Sequence, residues 1–151
     1  LAKKKKAKTE DSVTKSVFLP LDPAAAFELF TDKPGVVAKE RRHTKDPESE
    51  IAILATGRFF ERSRAGVEVE LGRVREWAPP HRLVLDFYVA SGPDAPTDVT
   101  ITFTAEGDGT RVTVDHRPTA ASAKIWTERA PRYAASWERV LECLRTARRD
   151  R

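Results

Sequence analysis

Two segments in the last third of the chain alternate in strict period two. Thr97 to Thr104 sets Val99, Ile101 and Phe103 on one face against Asp98, Thr100 and Thr102 on the other. Thr110 to Arg117 likewise sets Val112, Val114 and His116 against Arg111, Thr113 and Asp115. Between them, Glu106-Gly107-Asp108-Gly109 predicts a hairpin turn with glycines where positive φ is needed. An antiparallel pair with one wet face must bury the other. Directly afterwards the period changes. Trp126, Ala130, Tyr133, Trp137, Val140, Leu141 and Leu144 follow steps of three and four, which predicts an amphipathic helix to about Arg149. Pro131 falls within it, as its first turn or as a kink. The apolar stripe of the helix and the apolar face of the sheet close over each other. The result is a two-layer α+β domain.

The remaining segments fit that frame. Ser12 to Leu19 is β-branched and loosely alternating, a first strand that Pro20 ends. Asp22-Pro23 is a helix start, a capping carboxylate followed by proline at the first helical position, and Phe27 and Phe30 share one face. Val36 to Lys39 has room for one more short turn. Lys39 to Glu50 mixes charges of both signs and reads as an exposed, solvated loop. Strands are then expected over Ile51 to Arg62, Gly66 to Trp77 and His81 to Ala90, joined by the turn Arg64-Ala65-Gly66 and the connection Ala78-Pro79-Pro80. Ser91 to Pro96 is a Gly/Pro loop. If Val67, Val69 and Leu71 face inward, strict alternation also sends Arg73 and Arg75 inward. A β-bulge near Gly72 would reverse the parity and bury Val74 instead, and this is the favoured reading.

Composition narrows the function. Seven Phe, three Trp and two Tyr among 151 residues are too many for a disordered chain. The formal net charge of +4 is smaller than the contribution of Lys3, Lys4, Lys5, Lys6 and Lys8, so the rest of the chain is close to neutral. A nucleic-acid reader carries its positive charge on the folded surface, so no nucleic-acid partner is expected. Residues 1–11 are expected to be a disordered Lys-rich tail and residues 12–151 a single domain. No apolar run approaches the ~18 residues of a membrane span, and no export signal follows the basic stretch, so a cytoplasmic protein is expected. The single cysteine, Cys143, and three scattered histidines provide neither a disulfide framework nor metal-ligand spacing. No P-loop, dinucleotide fingerprint or nucleophile elbow is present, and no cofactor is expected.

Local sequences add a resemblance. They are the Asp22-Pro23-Ala24-Ala25-Ala26-Phe27 start with Phe30, then Gly57-Arg58-Phe59, then Gly72-Arg73-Val74-Arg75-Glu76 leading to Pro79-Pro80-His81-Arg82-Leu83. Gly107-Asp108-Gly109-Thr110-Arg111-Val112 and a final Tyr133, Ser136, Trp137, Val140, Leu141 series complete them. In this order they resemble the helix-grip superfamily of START and birch-pollen-allergen domains (SRPBCC), in its activator-of-heat-shock-protein-90-ATPase branch. The resemblance implies an antiparallel sheet of about six strands wrapped around a long C-terminal helix, with two short helices after the first strand.

It also implies a cavity between helix and sheet that holds a small, mostly apolar molecule. Tyr133 and Trp137 would line it from the helix, Leu85, Phe87, Ile101, Phe103, Val114 and His116 from the sheet, with Phe27 beside them. Each of these can equally fill a core. Parity turns His116 inward, where Tyr133, Glu61 or Arg75 could satisfy it; it is a polar anchor, a base, or a structural histidine. His43 and His81 read as exposed. Two alternatives stand behind ligand binding. One is an enzyme of cyclase or hydrolase type acting on a cavity-bound substrate. The other is a co-chaperone for heat-shock protein 90, disfavoured because the founding members carry a separate N-terminal domain for which 151 residues leave no room. Pairing of two copies through an exposed strand or helix is left open.

Overall fold

The computed structural model describes residues 11–32 and 34–149; the Lys-rich tail expected at the N-terminus lies outside them but for its last residue. Chain order is β1 (Val13–Leu19), α1 (Pro23–Asp32), a 3-10 turn at Lys39–Arg41, then six strands. These are β2 (Glu50–Ile53), β3 (Arg58–Arg62), β4 (Glu68–Ala78), β5 (Arg82–Phe87), β6 (Thr97–Glu106) and β7 (Gly109–Pro118). A 3-10 turn at Ala120–Ser122 leads into α2 (Ala123–Arg149). All seven strands form one antiparallel sheet in the order β1-β7-β6-β5-β4-β3-β2. This is the helix-grip architecture.

The sheet has seven strands rather than about six because Ile51 to Arg62 is two strands, not one. The Leu54 N–H donates to the Arg58 carbonyl at 2.8 Å and the Gly57 N–H to the Leu54 carbonyl at 2.9 Å. Gly57 takes a φ of 114°, which a residue with a Cβ rarely adopts, so the chain reverses there. Likewise, the second short helix is only the 3-10 turn, since Val36 and Val37 are buried on non-helical chain before it.

Two irregularities in β4 decide what faces the core. Opposite β3, pairing skips Leu71 between Glu70 and Gly72; opposite β5, it skips Arg75 between Val74 and Glu76. Leu71 and Gly72 are therefore both buried, Val74 and Trp77 pack against the core, and Arg73 and Arg75 are exposed. The bulge reading holds. Gly72 is required by close approach: a Cβ there would lie 2.0 Å from the Asp86 carbonyl oxygen. Arg75 pairs with Asp86 at 2.9 Å and with Asp98 on the outer face, far from the inward role considered for it.

Both helices cover the inner face. Asp22 Oδ1 accepts the Ala25 N–H at 2.8 Å, capping α1, and Phe27 and Phe30 press on Phe103 at ring separations of 5.1 and 6.0 Å. On α2, every residue of the expected stripe from Trp126 to Leu144 is buried. Pro131 lies inside this helix on its exposed side, where its missing N–H disturbs no core contact. No helix among the described residues is long and apolar enough to cross a membrane.

Candidate functional site

The sequence-predicted lining residues, Phe27, Leu85, Phe87, Ile101, Phe103, Val114, His116, Tyr133 and Trp137, are all buried. They form two neighbouring groups. Phe27 of α1 packs on Phe103 of β6 beneath it, with Trp77 edge-on to Phe27 at 5.1 Å. Phe87, Tyr133 and Trp137 surround His116, whose ring lies 4.1 Å from that of Tyr133 and 5.1 Å from that of Phe87. Trp126 closes the same cluster at 5.4 Å.

His116 is 0% exposed and hydrogen-bonded at both nitrogens. The Trp137 indole N–H donates to Nδ1 at 2.9 Å, which fixes Nδ1 as an acceptor and places the imidazole proton on Nε2. Nε2 is 2.7 Å from the Thr97 hydroxyl, and that hydroxyl in turn reaches the Phe87 carbonyl at 3.4 Å. Every proton in this chain of bonds has an acceptor. Burial removes the water that would stabilise a charged ring and pulls the His116 pKa from 6.5 down to about 3, so the ring is neutral. Its hydrogen-bond partners are thus Thr97 and Trp137; of those considered from sequence, Tyr133 touches it by ring contact only. Tyr133 instead donates its hydroxyl to the Val89 carbonyl at 2.7 Å.

Glu61, another fully buried polar group, does a different job from the one weighed for it. It points inward from β3 at 0% exposure, and the charged loop folds over it. Oε1 accepts the His43 N–H at 2.9 Å. Oε2 accepts the Thr44 N–H at 2.9 Å, the Thr44 hydroxyl at 2.6 Å and the Ser49 hydroxyl at 3.1 Å. Burial works to raise this carboxyl's pKa, but the bonds from Thr44, His43 and Ser49 together outweigh it and hold Glu61 below the usual range. Arg42 adds its guanidinium to Ser49 Oγ at 2.8 Å. The segment read as a solvated loop is therefore tethered at its centre, although most of its side chains are exposed.

Between this tethered loop and the loop after β5 lies an open groove of about 380 Å³. Val69, Glu70 and Leu71 of β4, residues 88–93 and His43 line it, mostly with apolar surface. None of the sequence-predicted lining residues is among them. The groove nonetheless abuts their cluster. The Tyr88 N–H donates to the Leu71 carbonyl at 2.8 Å, while Tyr133 and Arg129 on α2 hold the carbonyls of Val89 and Ala90, each at 2.7 Å. Sequence reasoning noticed the pieces, the inward Val69 and Leu71 and the Gly/Pro loop, without their meeting. Only the bulge at Leu71 and the fold of loop 42–49 onto Glu61 bring them together. No group of histidine, cysteine or acidic side chains among the described residues could hold a metal ion.

Comparison with known proteins gives a consistent frame. Residues 21–147 match the family described as activator of Hsp90 ATPase homolog 1-like protein. Among solved structures, CalC from Micromonospora echinospora, a self-sacrificing resistance protein, superposes with a TM-score of 0.67 at 25% identity. That match covers 93% of this chain and 95% of CalC. SA2116 from Staphylococcus aureus, a protein of unknown function, superposes with a TM-score of 0.60 at 13% identity over 93% and 96% of the two chains. DynU16, from the dynemicin biosynthetic locus, gives a TM-score of 0.57 at 20% identity over 91% of this chain, which spans only 46% of DynU16. No curated protein matches the chain.

Proposed function

Because the chain belongs to the activator of Hsp90 ATPase homolog 1-like family, we propose that it uses the helix-grip scaffold to bind a small, mostly apolar molecule. The observation that carries this reading is the groove of about 380 Å³, within the size range of small-ligand sites and walled by Val69, Leu71, Val89 and Pro93. Phe87, His116, Tyr133 and Trp137 form the rigid layer behind it. The Tyr133 hydroxyl holds the Val89 carbonyl, and the rings of Tyr133 and Trp137 pack on Phe87 at the end of β5, so the groove is shaped before a ligand arrives. Phe27, Leu85, Ile101, Phe103 and Val114 lie deeper, as the part of the lining that a larger ligand would reach only by displacing side chains. A self-sacrificing resistance protein and a protein of a biosynthetic locus among the neighbours favour a small-molecule role.

Native mass spectrometry of the full chain, followed by analysis of what denaturation releases, tests the proposal. One apolar compound at stoichiometric amount is expected, together with its loss from a Val69→Trp variant that fills the groove and keeps its melting temperature. A clean unliganded mass, with no thermal stabilisation across a broad lipid and metabolite screen, overturns it.

A further inference from the structure

Polar groups for which an apolar ligand has no use line the groove, and the buried Glu61 lies behind one of them. Glu61 engages its two oxygens unequally. Oε2 accepts three hydrogen bonds and Oε1 only one, from the His43 N–H. A carboxylate oxygen offers about two acceptor sites, so Oε1 keeps one open. The side-chain group facing Oε1 is His43 Nδ1, 3.6 Å away, within electrostatic reach and one small ring rotation from a hydrogen bond. An imidazole that turns Nδ1–H toward an ionised carboxylate is left with Nε2 as an acceptor on the opposite side of the ring. That ring is 37% exposed and lines the groove. Tyr88 lines the same groove half-buried, and its hydroxyl has no hydrogen-bond partner among the described residues. The remaining charged group there, Glu70, is already held by Arg58.

We propose that His43, oriented by Glu61, and Tyr88 form a polar end to the groove, and that its ligand is an apolar molecule bearing a hydroxyl group, a phenol or aromatic alcohol. The ligand hydroxyl donates to His43 Nε2 and accepts from the Tyr88 hydroxyl. An anionic headgroup fits this end poorly, since Glu61 and Glu70 both bring negative charge to it. The inference rests on the groove reading above and adds the chemistry of the ligand.

Two probes that share a ring and differ in one O–H group test it: 2-naphthol and 2-methoxynaphthalene, titrated calorimetrically into the full chain. The wild type is expected to bind 2-naphthol roughly tenfold more tightly, the worth of one hydrogen bond. In His43→Phe the preference disappears while affinity for the methoxy compound remains. Tyr88→Phe is expected to weaken both probes alike, because the naphthol and the ether oxygen can each accept from the Tyr88 hydroxyl, so the test keeps a second arm if one variant misfolds; melting temperatures control for folding. Equal affinities in the wild type, or a preference that persists in His43→Phe, overturn the inference while leaving the groove intact. Binding of neither probe removes the groove reading and this inference with it.

Discussion

At the scale of single residues, His116 makes the most testable statement about stability. Its folded pKa of about 3 lies below the unfolded value of 6.5, so the unfolded chain binds the extra proton between them. Stability contributed by the neutral ring is complete above pH 6.5 and is lost as pH falls toward 3. Glu61 and Glu68 also have lowered pKa values, from 4.5, and their contribution is lost only below that range. Between pH 6.5 and 4.5, urea melts should therefore show stability falling at a slope approaching about 1.4 kcal/mol per pH unit. A His116→Gln variant, which can still accept from Trp137 and donate to Thr97, should flatten that slope. An unchanged slope would show that His116 is not the titrating group. Period-two parity was enough to turn this histidine inward. Its partners were not legible, because Thr97 lies across the β6–β7 pair at a strand end and Trp137 arrives from a helix whose rotation over the sheet no spacing reveals.

At the scale of elements, the loop from Lys39 to Glu50 shows what charge pattern hides. Its composition says solvent, and most of its side chains are exposed, yet one buried carboxylate on β3 organises it through four hydrogen bonds. The edge of the loop is fastened as well. Asp46 binds Arg64 through side chain and backbone N–H, which holds its carboxyl at about 2. Glu61→Ala should leave the donors of His43, Thr44 and Ser49 without their acceptor and lower stability by about 1–3 kcal/mol. Trypsin should then cut at Arg41, Arg42 and Lys45 much faster than in the wild type, while the core strands stay protected. Cleavage at the wild-type rate would mean that Asp46 and Arg42 alone hold the loop. The sequence did signal the β4 bulge, since two buried arginines are a poor exchange for one buried valine. It could not signal the turn at Gly57, because the apolar residues on both sides of that turn read as one continuous strand.

For the whole molecule, one core serves both layers. The rings of Phe87, His116, Trp126, Tyr133 and Trp137 join α2 to the middle of the sheet, and Phe27 and Phe103 join α1 to the same face. With a single shared core, helix and sheet have no separate way to melt. Unfolding followed by tryptophan fluorescence and by far-ultraviolet circular dichroism should give coincident midpoints; a helix that melts first would contradict this. The fold class was legible because period two gives way to steps of three and four at one place in the chain. The groove was not, being assembled from a histidine loop, a bulged strand and a Gly/Pro loop that only the bulge at Leu71 and the tether on Glu61 make neighbours.

The strand order also bears on how the protein is made. Leu19 at the end of β1 pairs with Thr110 at the start of β7, and among the described residues β1 pairs with no other strand. As the polypeptide leaves the ribosome, β2 to β6 can begin to assemble while β1 waits for its partner. At about 5–20 residues per second that wait lasts on the order of five to twenty seconds. Throughout it Leu19, Phe27 and Phe30 have no finished surface to cover. The segment of β1 and α1 is thus among the last parts of the domain to settle, and the nascent domain is most open to chaperones or to aggregation until β7 has emerged.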